Sequence, residues 1–360
     1  MNKKLIILSA LTIFSPFLWR GAGEVLAGNP DRAGQAGATE LLINPWARSS
    51  GWAGANTAGV RGLEALYGNV AGTAFTQKTE LLFTHTQWLK GTGIGINSFG
   101  LTQRVGETGT IGLAIMAMDF GEIPITTVEQ PEGGLGTYSP QFLNITASYA
   151  KIFSDNIYGG LAVKVITEKT SNVSARGVAL DAGIQYVTGK NEQLKFGIAL
   201  KNVGPRMKFS GDGLSFKAPV PSSTQSNTMT VEQRAAQYEL PSLLNIGAGY
   251  DFYVKKDSAF NKTHRITGMA TFTSNSFSKD QFKIGVEYGW KNMLMVRAGY
   301  AYEKGITNLE DRTSALTGPT AGFTFEMPFG KNKSTFALDY SYQATNPFNG
   351  THALGARINL

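Results

Sequence analysis

Three histidines, His85, His264 and His352, are the side chains of this 360-residue sequence best suited to acid–base or nucleophilic chemistry. A hydrolase built on one of them needs a nucleophile, the imidazole and a polar orienting group within hydrogen-bond reach of one another. No serine stands two residues from any of the three, where a single strand would place both on one face. The chain has no cysteine, which removes thiol, disulfide and thiolate–metal chemistry. No cluster of ligating residues has metal-site spacing. Gly91, Gly93 and Gly95 resemble a scrap of a dinucleotide loop, but no strand–turn–helix context follows, and they read as a glycine-rich hairpin. These residues predict no enzyme and no cofactor.

The charged residues are more informative. Lys164, Asp181, Lys201, Asp251, Lys283, Glu287, Arg297, Asp339 and Arg357 all fall on one phase of an alternating pattern. Around them, Phe282, Ile284, Val286, Tyr288 and Trp290 interleave with Gln281, Lys283, Gly285, Glu287 and Gly289. The same beat runs through Leu294–Tyr302, Phe336–Tyr342, Ile246–Phe252, Leu354–Leu360, Val178–Tyr186 and Phe196–Leu200. Successive strand side chains point to opposite faces. One apolar face and one polar or glycine face, with aromatic ends, is the pattern of a transmembrane β-barrel, where a lipid-facing Arg or Lys costs roughly 2–4 kcal/mol. A soluble β-sandwich shares the period but has shorter strands. The mixed sign of the inward charges suits a self-paired, filled interior, since a selective pore shows one dominant sign at its constriction.

Fourteen strands are expected, near 80–88, 93–104, 109–120, 140–153, 157–168, 175–188, 193–203, 242–254, 264–274, 280–290, 293–303, 316–327, 333–343 and 351–360. Short connections (105–108, 154–156, 189–192, 291–292) fall on one parity; long ones (121–139, 204–241, and the intermediate 304–315) fall on the other. That is the arrangement of periplasmic turns and outer loops. The eighth connection, 255–263, is the least tidy turn. The fold expected is an all-β transmembrane antiparallel barrel over 80–360.

Residues 1–27 read as a secretory signal peptide, with Lys3 and Lys4, an apolar run from Leu5 to Trp19, and Val25 and Ala27 before the cleavage point. Removing them takes three cations (Lys3, Lys4, Arg20) and Glu24, a net +2 out of +7. No basic arm or aromatic–basic platform for nucleic acid remains. No other stretch approaches the ~18 apolar residues of a spanning helix, so a secreted barrel belongs in the Gram-negative outer membrane, among its lipids. Residues 28–79 lack the strand beat. Leu41, Leu42, Trp46, Trp52, Leu63, Leu66 and Tyr67 argue for order, as a lumenal plug or as a periplasmic segment.

Several patches resemble the PorV/PorQ family of the Bacteroidetes type IX secretion system, barrels related to the FadL transporters. Residues 47–58 resemble its Ala-Arg-x-x-Gly-Met-Gly-x-Ala stretch, with Trp52 for Met and Ala53 for Gly. Asn69-Val70-Ala71 resembles Asn-Pro-Ala; Asp181-Ala182-Gly183-Ile184-Gln185-Tyr186 resembles a mid-barrel Asp-x-Gly-x-x-Tyr strand. Asn202-Val203-Gly204-Pro205-Arg206 is similar to its Asn-x-Gly-Pro-Lys strand exit, and Leu240-Pro241-Ser242-Leu243-Leu244-Asn245-Ile246-Gly247 to its Leu-Pro-x-x-Leu-x-x-Gly re-entry. Leu360 stands where many barrels end in Phe.

The resemblance implies a FadL-like fold of fourteen strands and a part in type IX secretion. The implied partners are the translocon barrel, the C-terminal signal domains of cargo and the surface attachment complex. The long loops would carry the contacts: Ile123, Ile125, Leu135 and Tyr138 on one, Met207, Phe209, Leu214, Phe216 and Met229 on the other. Adaptable Met and aromatic side chains suit such a surface. The competing expectation is a transporter of hydrophobic small molecules through a hatch-gated lumen. A kinked strand, a lateral opening and an apolar lumen pocket favour the transporter. A sealed lumen with large apolar outer loops favours the interaction protein. A lipid hydrolase is a more distant alternative.

Overall fold

The structure, a computed structural model, describes residues 28–220, 227–253, 263–329, 334–345 and 348–360. The expected signal peptide and most of the eighth connection lie outside the described residues. Fourteen long strands form the wall: β1 (Thr79–Gln87), β2 (Gly95–Val105), β3 (Gly109–Asp119), β4 (Gln141–Ile152), β5 (Ile157–Thr170), β6 (Val173–Thr188), β7 (Leu194–Val203), β8 (Leu243–Tyr253), β9 (His264–Asn275), β10 (Gln281–Trp290), β11 (Leu294–Glu303), β12 (Gly318–Phe329), β13 (Ser334–Gln343) and β14 (Thr351–Asn359). Each pairs antiparallel with its sequence neighbours, and β1 pairs with β14 through Leu82↔Arg357 and Thr84↔Gly355, closing the barrel. Closure leaves no sheet edge unpaired, which is what allows strands to span a membrane. The strand ends depart from the sequence expectation by at most two residues.

The alternation is carried out in three dimensions. Ile284, Val286, Val296, Leu161, Ile198 and Leu354 are exposed on the outer surface. Lys164, Asp181, Lys201, Asp251, Glu287, Arg297, Asp339 and Arg357 are buried inside. Aromatic side chains sit toward both ends of the outer face: Tyr186, Phe196, Tyr250, Tyr288 and Trp290 near the short turns, and Tyr300, Tyr302, Tyr340 and Tyr342 near the long loops. Such paired girdles match the two interfaces of a bilayer.

The connections named in the sequence analysis alternate in length as expected, but two others on the long-loop side, the fifth and the ninth (276–280), are short. The fifth, between Thr170 and Val173, lies on the long-loop side yet is a two-residue turn. There β5 and β6, of 14 and 16 residues, run on past their neighbours. The long loops carry small strands of their own. Ile123–Pro124 pairs with Thr137–Tyr138, Ser215–Pro219 pairs with Thr228–Glu232, and Phe209–Ser210 adds to the projecting end of β6.

Residues 28–79 are folded inside the barrel as short helical turns. At the long-loop end Asn29 N–H donates to Asn275 O (3.2 Å) and Gly37 N–H to Glu239 O (3.0 Å). The segment crosses the lumen, and Arg61 meets Glu192 of a short turn at 3.0 Å. It leaves at the same end, where Phe75 packs at a tilt against Tyr158 with ring centroids 4.0 Å apart.

Candidate functional site

The plug is seated by glycines. Three inward-facing pairs stand directly opposite one another across strands: Gly160 and Gly183, Gly197 and Gly247, Gly285 and Gly299. Each pair is a window into which plug backbone or a plug ring fits. A Cβ at Gly160 would lie 2.9 Å from Val70 O, one at Gly197 2.6 Å from Thr57 O, and one at Gly299 2.6 Å from the Trp52 carbonyl carbon. Glycine lets a backbone or ring approach this closely.

Asn69 anchors the middle of the plug. Its Oδ1 accepts from Ala71 N–H (3.2 Å), capping the short 3-10 helix Val70–Phe75. Its Nδ2 donates to Thr57 O (3.1 Å), Ile184 O (3.1 Å) and Ile198 O (3.4 Å), tying plug to β6 and β7. Val70 is the first residue of that helix, a position that also accepts proline. Ala53 has φ +53, a left-handed conformation that favours glycine and costs a non-glycine residue about 1–2 kcal/mol.

The strand exit at Asn202-Val203-Gly204 is a bulge. The β6–β7 register shifts between Leu180 and Ala182, and Asn202 has φ +58. Asn202 N–H donates to Asp181 Oδ1 (2.8 Å), its Oδ1 accepts from Lys164 Nζ (2.8 Å), and its Nδ2 donates to Pro241 O (3.1 Å). Beyond the bulge β7 leaves β6, so the strand is irregular at its exit. The gap is closed from inside by Met207 and Leu240, packed with Leu41, Ile166, Ala175 and Ala179.

Met207 therefore departs from the sequence expectation. It is 1% exposed, not displayed on an outer loop. Its backbone pairs with Tyr238, which folds the loop back, and its side chain fills the space over Gly177. Phe209 packs half-buried against the same cluster. Leu214 and Tyr138 are half-buried, whereas Ile123, Ile125, Leu135, Phe216 and Met229 are exposed on the loops. The histidines do not converge. His85 bonds Asn97 (2.8 Å), His264 bonds Tyr288 (2.7 Å) and His352 bonds Tyr340 (2.9 Å), all on the outer face.

Inside, most inward charges are matched. Lys164 lies 2.6 Å from Asp181, Lys195 2.7 Å from Asp251, and Arg357 3.1 Å from Glu326. Glu287 gathers Arg265 (2.7 Å), Arg297 (3.0 Å) and Arg48 of the plug (4.0 Å). Lys201 and Lys283 differ. Among the described residues neither makes an ion pair; Lys201 Nζ sits 3.5 Å from the Tyr67 ring centroid. Lys201 is buried and Lys283 half-buried.

At the long-loop mouth, plug and loop are clasped. Tyr238 Oη donates to Glu168 Oε2 (2.5 Å), and Glu239 binds Arg206 (2.7 Å) and Arg32 (3.1 Å). Glu40 is buried with both carboxyl oxygens unpartnered. Burial, then the nearby Glu168 charge, pushes its pKa up to about 8. The two arginines hold the Glu239 carboxyl below its usual range.

Two cavities flank the plug. The one toward the long loops has a volume of about 290 Å³ and is bounded by Leu42, Trp88, Phe277 and Leu316 together with Lys201 and Lys283. The one toward the short turns is about 500 Å³ and polar, reaching Lys195, Asp251, Arg265 and Glu287. Asn56 borders both. The partition is therefore thin, formed by the plug turn around Trp52–Thr57.

A closed fourteen-stranded barrel with an apolar outer belt and an internal N-terminal hatch defines the class: a plugged, FadL-like β-barrel. Solved structures agree with this fold. The chain is similar to the Pseudomonas putida toluene transporter TodX (13% identity, TM-score 0.51, covering 88% of this chain and 97% of that one). It is equally similar to the monoaromatic hydrocarbon channel CymD (13%, 0.51, 88% and 97%) and to a Pseudomonas aeruginosa FadL homologue (14%, 0.51, 87% and 98%). No family model and no curated protein sequence matches the chain.

Proposed function

We propose that this chain is an outer-membrane barrel that passes small, largely hydrophobic molecules across its hatch, in the manner of a FadL-like transporter. The observation that carries the reading is the pair of cavities separated by a single plug turn, with Asn56 bordering both. A route interrupted by one turn is closed to ions at rest and needs only a local movement to admit a ligand. The irregular exit of β7 and the partly apolar outer cavity support the same reading, and so do the named activities of the proteins that share the fold. Proteoliposomes holding the purified protein should take up labelled toluene faster than protein-free vesicles while showing no steady ion conductance. Uptake equal to that of protein-free vesicles overturns the proposal.

A second reading has its own support. Ile123, Ile125, Leu135, Phe216 and Met229 are exposed on the two longest loops, and the sequence patches resemble the type IX family. In this reading the loops hold the translocon barrel or cargo C-terminal signal domains and pass cargo to the surface attachment complex. Photo-crosslinkers at Phe216, Ile125 and Leu135 should then capture such a domain in cells. Capture of neither partner, with cargo still displayed after removal of 210–235, refutes it.

A further inference from the structure

The aromatic girdle of the long-loop end is interrupted at β5 and β6. On the outward phase β11 and β13 carry Tyr300, Tyr302, Tyr340 and Tyr342 there. The outward residues at that end of β5 and β6 are Thr167, Lys169, Ser174 and Arg176. Thr167 pairs with Arg176 and Lys169 with Ser174, so the two cations are diagonal neighbours about 7–8 Å apart. The short strand Phe209–Ser210 extends the same surface. Phe209 pairs with Ala175 on the inner phase, and Ser210 with Ser174 on the outer. Alternation then puts Lys208 on the outer phase, one step along this register and beside Arg176. Lys169, Arg176 and Lys208 are all exposed.

Among the described residues none of the three makes an ion pair or a side-chain hydrogen bond, Asp212 two residues past Ser210 included. The other acids nearby are engaged elsewhere. Glu168 turns inward to Tyr238, and Glu239 is held by Arg206 and Arg32. Asp119, two strands from Lys169, accepts from Gly121 N–H (3.0 Å) and Ser139 Oγ (3.2 Å). Like charges side by side on one sheet face are destabilising. An anion lying across them removes that repulsion, and one with several oxygens accepts charge-assisted hydrogen bonds from all three.

The patch stands at the height of lipid head groups. Tyr186, in the girdle near the short turns, and Arg176 are ten residues apart on β6, about 33 Å at about 3.3 Å per residue. A strand tilt of about 40° turns that into about 25 Å of height, which is the apolar band of an outer-membrane barrel. Arg176 therefore marks the far edge of that band. Below it on the outward phase are Val165, Val178, Val163, Leu180 and Leu161, all exposed and none aromatic, a smooth surface for acyl chains. We propose that Lys169, Arg176 and Lys208 hold the phosphate groups of an outer-leaflet glycolipid whose chains lie along β5 and β6. The proposal rests on outer-membrane placement and is independent of what crosses the hatch or what the loops bind.

The test titrates the purified full chain in nonionic detergent with diphosphoryl lipid A and reads bound lipid by native mass spectrometry. Lys169→Gln with Arg176→Gln and Lys208→Gln should weaken binding at least fivefold. Lys90→Gln, which removes an exposed cation from the first long-loop-side connection, should leave it unchanged. Lys169→Arg with Lys208→Arg should keep it. Binding by wild type should weaken as salt rises, because the three cations are exposed. Heat-modifiable mobility checks the folding of each variant; if the triple variant does not fold, Arg176→Gln alone should weaken binding at least threefold. No binding by wild type, or a smaller loss in the variant that folds, overturns the proposal and leaves a solvated face. Inorganic pyrophosphate that displaces the lipid at equal concentration overturns it in favour of a free-phosphate site. Lipid binding unaffected by the triple change, with Arg176→Cys joining two chains by a disulfide in native membranes, overturns it in favour of a contact with a second copy.

Discussion

Replacing Gly197 by alanine should loosen the plug, whereas replacing Gly268 should not. Both glycines are strand residues, on β7 and β9. A Cβ at Gly197 would meet Thr57 O at 2.6 Å and Ala58 Cα at 2.8 Å, both plug backbone atoms that cannot rotate away. A Cβ at Gly268 meets nothing within 4 Å. Overpacking a filled interior costs about 1–3 kcal/mol. Glycine to alanine at an open position whose backbone an alanine accepts gains about 0.4–1 kcal/mol by restricting the unfolded chain. The two variants should therefore differ by about 1.4–4 kcal/mol in urea unfolding of the refolded barrel. The cost is paid by displacing the Thr57–Ala58 turn, so Gly197→Ala should also show transient conductance in planar bilayers where wild type and Gly268→Ala stay quiet. Stabilities within about 0.5 kcal/mol of each other, with no difference in conductance, would refute the idea that glycine windows seat the hatch.

Val296→Arg should impair assembly more than Arg297→Met. Val296 faces outward, paired with Tyr288 and Phe323, and a cation there costs roughly 2–4 kcal/mol at mid-depth; loss of Arg297 leaves Glu287 with Arg265 at 2.7 Å. The yield of heat-modifiable folded barrel measures this, and an unaltered yield for Val296→Arg would show the faces to be inverted. Glu40→Gln should flatten the pH dependence of stability. The unfolded chain releases this proton near 4.5 and the folded one holds it to about 8, so wild-type stability is full at low pH and declines as pH rises across that window. Identical unfolding midpoints at pH 5 and pH 9 in wild type would remove Glu40 from the clasp.

The wall was legible in the sequence because lipid and lumen impose opposite chemistry on alternate residues. Asp181, Lys201, Glu287, Arg297 and Arg357 lie inside, as their phase predicts. The plug was less legible. It is made of short turns fixed by contacts with several strands at once, such as the Asn69 bonds to Ile184 and Ile198, and has no period of its own. A trace of it was present in the inward-phase glycines. Gly197, Gly247, Gly285 and Gly299 occupy positions where a filled lumen otherwise places side chains, and their facing in pairs marks where the plug touches. Met207 misled because a long polar loop gave no sign that it folds back at Tyr238 to bury Met207 and cover part of Phe209. The ends of β5 and β6 project for a reason tied to that fold, since Phe209–Ser210 pairs with Ala175 and Ser174 beyond the ladder of β7.

The two kinds of contact that hold the hatch have different consequences for movement. Glycine windows grip through shape, and a turn that leaves them loses close packing at several points together. Ion pairs such as Arg61–Glu192 and the Glu287 cluster lie toward the short-turn end, bordering the polar cavity, where water can replace each partner. The turn between the cavities rests on the first kind: Trp52 over Gly285 and Gly299, and Thr57 over Gly197 and Gly247. It has few compensating polar bonds, among them Thr271 Oγ1 to Ala55 O (2.9 Å) and Asn69 Nδ2 to Thr57 O (3.1 Å). In the proposed transport reading, a ligand in the outer cavity would meet the face of the plug that close packing holds, and the charged contacts at the other face would keep the rest of the plug in place if that turn moved.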